Sequence, residues 1–431
     1  MASLINTWEK LTLNPRLFVY LHRLNQESKL NYKEVNDIQF HRLKNILISA
    51  YLNHPFYKER FDNSGFNPFE LKDTEEISSI PILEKEDYRR YCNNVVSFDE
   101  KKYKEWYKDG TSGTTGMPLK VYRTWSERAY MSAKWMRVLF SNGYSWRDKT
   151  FSLPSPHRLQ KDSIIQKIGI LERVSIPYTA PTREMVQGYL KEKPNIVYAN
   201  KSQLVMMAIF VRDNKIDLPK PKLCISAAET MDESSRRIIC EVFGEENLIE
   251  AYGAVEVNNL AWQNKGQSLF NFSHSTNLLE VVDNQGKPSA SGKAIITDFF
   301  INSFPLIRYN LGDFVETENA NGLQFIKKIK GRMDDWVLFS DGARIPFHAF
   351  YEIMERRSEI SQFRVIQESF SLIKIQLVLG ASADKTAIEK TIMNDIKKEI
   401  KEYGVEYQFE WRDKIEPDPS GKLRMLISKV K

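Results

Sequence analysis

Over residues 1–100, apolar side chains recur at three- and four-residue intervals with Lys, Arg and Glu between them, a pattern that predicts mainly helix. The texture then changes. The polar aromatic stretch Tyr103-Lys-Glu-Trp-Tyr107 is expected as a strand, and 126–140 as a helix with Ser126 as its N-cap. Short apolar runs at 148–153, 196–199 and 223–226 alternate with helical periodicity at 182–192 and 203–214. Thr230-Met-Asp-Glu233 has capping-box spacing and opens a further helix, whose Ile238, Ile239, Val242 and Phe243 face inward. Strands alternating with helices predict an α/β sheet covered by helices, with ligands gathered at loops beyond the C-terminal ends of the strands.

From 277 to 327 the runs are short and strand-like (278–282, 294–297, 323–328), separated by the turns Asn284-Gln-Gly286 and Asn321-Gly322, which predicts a smaller β-rich lobe. The last hundred residues offer strands at 371–379 and 406–411. Between them Asp384 opens a helix with Ile388, Ile392, Ile396 and Ile400 at i, i+4 spacing, stopped by Gly404. A domain boundary near Arg332–Asp334 divides the chain into 1–331, large and α/β, and 332–431, small and α+β. Internal repeats and low-complexity tracts are not evident.

At 431 residues the chain has room for two domains, and 42% hydrophobic with 27% charged residues is ordinary for a globular protein. The net charge of +6 is interleaved rather than blocked, so a nucleic-acid stripe is not indicated. Cys92, Cys224 and Cys240 have no metal-ligand spacing; Cys224 and Cys240 lie in apolar surroundings and read as core. The first residues lack a basic segment followed by an apolar one, and no apolar run approaches a membrane span. The expectation is a cytoplasmic protein.

Candidate chemistry begins at Thr111-Ser-Gly-Thr-Thr-Gly-Met-Pro118. Glycine lets backbone approach a ligand, and successive N–H groups with hydroxyls suit phosphate oxygens. The Gly-Lys-Ser/Thr ending of P-loop NTPases is missing. Four further segments follow: Ala251-Tyr-Gly-Ala-Val-Glu256, Pro305-Leu-Ile-Arg-Tyr-Asn-Leu-Gly-Asp313, Gly331-Arg-Met-Asp-Asp-Trp-Val337 and Pro419-Ser-Gly-Lys-Leu-Arg424.

In this order the five segments resemble the signatures of the adenylate-forming superfamily (acyl-CoA synthetases, luciferases and peptide-synthetase adenylation domains), and most closely its phenylacetate–CoA ligase branch, which includes capsular polysaccharide biosynthesis homologues. The resemblance runs from about Thr111 to the C-terminus. It implies the adenylate-forming fold, a large N-terminal domain with a β-rich sublobe and a small mobile C-terminal domain. The implied reaction activates a carboxylic acid with ATP and Mg²⁺, then transfers the acyl group, most simply to CoA.

By the same resemblance, Thr111, Ser112, Gly113, Thr114, Thr115 and Gly116 grip the pyrophosphate, with Lys120 nearby. Ala228, Glu229 and Thr230 border the adenine, which Tyr252 and Gly253 also approach, and Glu256 attends the magnesium. Asp313 and Arg332 hold the ribose, Asp334 is the hinge, and Gly342 lets the CoA arm pass. Lys422 offsets charge at the α-phosphate; with Glu256 and Thr115 it completes the catalytic set. One departure stands out. Relatives usually carry Thr or Ser where this chain has Val255, a missing donor worth about 1–3 kcal/mol.

Segments 152–157, 198–202 and 251–252 are expected to line the acid's pocket. Their Tyr, Asn and His favour a polar acid over a long fatty one, and His157 and His274 are weaker candidates. Transfer to an amine or hydroxyl of a sugar is the close alternative, a non-catalytic nucleotide-binding protein the distant one, and homodimerisation is left open.

Overall fold

The computed structural model describes residues 14–110, 119–154, 156, 159, 164–283, 285–332, 336–341, 343–357, 359–380, 383–400, 403–416 and 424–430. The chain forms two compact units, each assembled from two stretches: Met1–Ser145 with Ala251–Ile329, and Trp146–Glu250 with Lys330–Lys431.

The first stretch is helical, as its periodicity predicts. α1 (Pro15–Glu27) has Pro at its first position, and Asn14 accepts from the Arg16 N–H at 2.9 Å. α2 (Tyr32–Asn53) opens with an Asn31–Glu34 capping box, and α3 (Pro55–Ser64) ends on Gly65 at φ 68°. α4 (Lys85–Phe98) and the short α5 (Glu100–Lys104) follow. The strand expected at 103–107 therefore gives way to helix. Asp99 accepts from the Lys102 N–H at 3.2 Å and turns the chain once more, so β1 begins only at Tyr107 (Tyr107–Gly110). It pairs antiparallel with β2 (Lys120–Arg123). α6 (Trp125–Ser141) is capped by Thr124, which forms a capping box with Glu127, not by Ser126; the Ser126 hydroxyl bonds Tyr20 at 2.8 Å.

In the second unit, β3 (Thr150–Ser152), α7 (Ile164–Lys167), β4 (Arg173–Ser175), α8 (Thr182–Glu192), β5 (Ile196–Asn200), α9 (Lys201–Asp213), β6 (Leu223–Ala227) and α10 (Glu233–Phe243) alternate. The strands run parallel in the order β6-β5-β3-β4, so Ala227, Asn200, Ser152 and Ser175 end at one edge. Phe151, Met185, Tyr189, Val197, Leu204, Cys224, Ile239 and Phe243 fill the core beneath the helices. Asp232, rather than Thr230, caps α10, accepting from the Ser235 N–H at 2.8 Å; Ile238 and Val242 are only half-buried.

β7 (Leu248–Ala254), β8 (Asn258–Gln263), β9 (Phe270–Phe272), β10 (Asn277–Val282), β11 (Ser291–Asp298), β12 (Tyr309–Ala320) and β13 (Leu323–Arg332) follow, ordered β10-β11-β12-β13-β9-β8-β7. Asn321 and Gly322 both have positive φ, as the turn joining β12 to β13 requires. In the first unit the buried face of α6 carries Lys134. Its ammonium donates to the Val257 carbonyl (3.0 Å) and Asn277 Oδ1 (3.2 Å), and lies 3.7 Å from Asp298. Burial pulls its pKa down to about 8 against the opposing pull of Asp298.

His274 packs edge-on against Phe272, and its buried Nε2 has no hydrogen-bond partner among the described residues. Burial lowers its pKa from 6.5 to about 4, despite a hydrogen bond with the Gln324 backbone. Its stabilising contribution is complete above the unfolded value of 6.5 and is lost as pH falls toward 4. At most about 3 kcal/mol should disappear over that window. Urea midpoints measured from pH 7.5 to 4 should flatten in a His274→Gln variant; an unchanged slope would remove the histidine from the explanation.

The last stretch contains β14 (Trp336–Leu338) and β15 (Arg344–Pro346), an antiparallel pair, then α11 (Phe347–Glu355), β16 (Ile360–Ser369), β17 (Leu372–Leu379), α12 (Lys385–Glu399), β18 (Glu406–Trp411) and β19 (Leu426–Ser428). The order β18-β17-β16-β19 packs on a core containing Tyr351, Val365, Ile375, Ile388, Ile392 and Ile396. Asp384 caps α12 as expected, but the helix ends at Glu399, so Gly404 lies past its end rather than stopping it. Among the described residues no helix is long and apolar enough to cross a membrane.

Candidate functional site

The β7–β8 hairpin organises the first unit's candidate residues. Gly253 is required there. A Cβ on it would sit 2.0 Å from the Asn258 carbonyl oxygen, so the two strands close only over glycine. Ala254 accepts from the Val257 N–H at 3.2 Å, and Glu256 stands at the tip, 3% exposed. The buried Arg123, in β2, fixes that tip. Its guanidinium donates to the carbonyls of Val255 and Glu256, the latter at 2.7 Å.

β12 supplies the facing side. Alternation puts Tyr309, Leu311, Asp313 and Val315 on one buried face. The Tyr309 hydroxyl donates to Glu256 Oε1 at 3.0 Å, and the Tyr252 hydroxyl donates to Asp313 Oδ2 at 2.8 Å. Two of the sequence motifs are thereby joined by side-chain hydrogen bonds. Strand rise separates positions 309 and 313 by about 13 Å.

Immediately before β12, Arg308 adopts φ 48° and is held by Glu280 at 2.9 Å. The same guanidinium donates to the carbonyls of Ser78 (2.7 Å) and Ile80, while the Leu83 N–H donates to the Arg308 carbonyl at 2.8 Å. This docks 78–84 on β12 and sets Lys85, the first residue of α4, beside the hairpin. The Lys85 ammonium lies 3.3 Å from Glu256 Oε1.

Glu256 is a hard oxygen donor that already has a cation standing beside it. Such a carboxylate fits a divalent ion whose remaining ligands are phosphate oxygens and water. Among the described residues no three His, Cys, Asp or Glu side chains group as a protein-only metal cage.

In the second unit, β6 leads into Ala228, which is exposed at φ 64°. Glu229 accepts from the Ser202 N–H (2.9 Å) and hydroxyl (2.8 Å), a carboxylate at the N-terminus of α9 where the helix dipole favours it. The Thr230 hydroxyl lies 3.6 Å from where a Cβ on Gly331 would stand. Nearby, a shallow cleft is lined by Ser202, Asp232, Ser235, Arg357 and Phe363 among others; neither Glu256 nor Asp313 lines it. Its Lys201 and Asp232 pair at 2.8 Å. Burial opposes the charge on Asp232, but Lys201 and the serine donors outweigh it and bring the pKa to about 2.

The structure thus brings together Tyr252, Gly253, Glu256 and Asp313, and places Ala228, Glu229 and Thr230 at the end of β6. Lys120 is exposed at the start of β2, paired through its backbone with Gly110. Arg332 ends β13. Thr111 to Gly116, His157, Asp334, Gly342 and Lys422 lie outside the described residues. Sequence reasoning overlooked Lys85, Arg123 and the role of Tyr309. Tyr309 stood inside a recognised motif; Lys85 had no local signal, since its partner is 171 positions away (256 − 85).

Residues 337–429 match the CapK C-terminal domain. Over 438 aligned positions the chain is 23% identical to Protein CapK of Staphylococcus aureus, covering 93% of this chain and 91% of that one. Phenylacetate–coenzyme A ligase of Pseudomonas putida is 22% identical over 85% of this chain and 87% of its own. Among solved structures, 2-hydroxyisobutyryl-CoA ligase, in the postadenylation state with 2-HIB-AMP, superposes with a TM-score of 0.72 at 18% identity, covering 93% of this chain and 90% of that one. The chain is a homologue of CapK and of the phenylacetate–CoA ligases, and it has the mixed α/β fold of the adenylate-forming CoA ligases.

Proposed function

We propose that this chain is an AMP-forming carboxylate ligase: it joins a small carboxylic acid to ATP, releasing pyrophosphate, and passes the acyl group from the acyl-adenylate to the thiol of CoA, releasing AMP. The observation that carries this reading is the pair of hydrogen bonds by which one hairpin is joined to one strand, Tyr252 to Asp313 and Tyr309 to Glu256. A carboxylate suited to a diol and another suited to a metal-bound phosphate are thereby held by the same hairpin and strand. The homologous ligases and the shared fold support it.

In this reading Asp313, with Arg332, holds the ribose, Tyr252 and Gly253 flank the adenine with Ala228, Glu229 and Thr230, and Thr111 to Gly116 with Lys120 hold the phosphates. Glu256 would hold Mg²⁺, which offsets phosphate charge when bound. Lys422 supplies positive charge where the acid meets the α-phosphate, with Thr115 as a hydroxyl donor. Residues 332–431 act as a mobile domain turning about Asp334, with Gly342 leaving room for the CoA arm. The amine or hydroxyl of a sugar is a second acceptor in this reading, following the resemblance to capsular polysaccharide homologues.

Acid-dependent ATP–pyrophosphate exchange over aryl, short aliphatic, amino and sugar acids is the direct test. Exchange with one acid class is expected, and Asp313→Ala should raise the KM for ATP by about 10-fold or more, the loss of a charge-assisted hydrogen bond. The acyl-AMP so formed can then be offered CoA and aminosugars in turn. Nucleotide binding without exchange would count against ligation and turn attention to Val255.

A further inference from the structure

We propose that Lys85 is the resident counter-ion of Glu256, and that a divalent cation arriving with the nucleotide displaces it. This rests on the metal role given to Glu256 above and goes beyond it, by assigning a function to a residue outside all five motifs.

The Glu256 side chain is 4% exposed, and a buried carboxylate without a partner is strongly disfavoured. Lys85 and Tyr309 both address its Oε1, at 3.3 and 3.0 Å. Tyrosine supplies a dipole; the lysine supplies charge.

Lys85 is also electrostatically misplaced on its own helix. It is the first residue of α4, where the dipole favours anions, and its neighbours Glu86 and Asp87 follow that rule. Its position is explained by Glu256 instead. The Arg308 carbonyl and its guanidinium fix the backbone of 78–84, while four methylenes leave the ammonium free to swing. At 25% exposure the side chain has an outward path. Two cations cannot share one buried carboxylate oxygen without repulsion, so a divalent ion at Glu256 sends the ammonium outward.

The test uses the full chain with Mn²⁺ as the metal and a non-hydrolysable ATP analogue, counting free Mn²⁺ by electron paramagnetic resonance. Lys85→Met should tighten Mn²⁺ binding by about three- to tenfold, the worth of a partly buried ion pair. Lys85→Arg should behave as the parent protein. Binding of the analogue without metal should stay the same in all three. Unchanged or weaker Mn²⁺ binding in Lys85→Met overturns the proposal, as does loss of metal-free analogue binding, which would make Lys85 a phosphate contact. If neither parent nor variant binds Mn²⁺, the metal reading of Glu256 fails and this proposal with it. Should Lys85→Met fail to fold, Lys85→Gln, which keeps a donor but not the charge, carries the same expectation.

Discussion

Lys422→Ala is expected to lower acid-dependent ATP–pyrophosphate exchange by about 10²–10³-fold, the loss seen when one preorganised charge-stabilising group is removed from a transition state. Thioester formation from acyl-AMP supplied ready-made should continue, because the phosphoryl chemistry is then already complete. The described residues on either side of 417–423 are tied to β16. Arg364 donates to the carbonyls of Glu416 (2.7 Å) and Arg424 (2.9 Å), and the Ile415 N–H donates to Gln362 at 2.9 Å. Lys414, exposed and paired with Glu416 at 2.5 Å, serves as the control and should leave exchange unchanged when replaced by alanine. Full exchange in Lys422→Ala would sink the assignment.

Lys134→Met should cost about 3 kcal/mol or more of stability in the first unit, the consequence of breaking a buried charged network from one side. The ammonium is wholly buried, and its loss removes a donor from the Val257 carbonyl and from Asn277 Oδ1, which keeps the Thr276 hydroxyl at 2.8 Å. Asp298 is partly protected, since it also accepts from the Phe300 N–H (2.8 Å), the Ile301 N–H (3.0 Å) and Asn277 Nδ2 (2.9 Å). That protection keeps the expected loss near the lower end of the range for buried pairs. Pairing the change with Asp298→Asn should recover part of the loss by removing the unbalanced charge. A shift of the urea midpoint corresponding to less than about 1 kcal/mol would show that Lys134 is not the network's keystone.

Helix periodicity was readable wherever one face is buried: 182–192 has the limits of α8, and the isoleucine ladder of α12 lies in its core. Caps were harder. Thr124, Asp232 and Ser126 offer equivalent oxygens in sequence, and only the direction of the incoming chain decides which one accepts the free N–H groups. Strands β8 and β12 escaped the pattern because buried polar residues, Asn259 and Gln263 in the one and Asp313 in the other, interrupt the apolar alternation, while Gly253 interrupts β7.

Of the site, the motif residues Tyr252, Glu256 and Asp313 were legible because each carries distinctive chemistry beside glycine. Arg123 and Lys85 were not. Their roles exist only through contacts with the hairpin tip, and nothing local marks a lysine at the start of a helix as a partner for a distant glutamate.

Both units are stitched from separated stretches of chain. During synthesis Lys85 therefore leaves the ribosome long before Glu256, and the 171 intervening positions take about 10–35 s at ordinary elongation rates. For most of that interval α2 and α6 have no sheet to cover, since β8 and β10, against which they pack, are not yet made. The finished fold therefore depends on strands that reach these waiting helices only after a long delay.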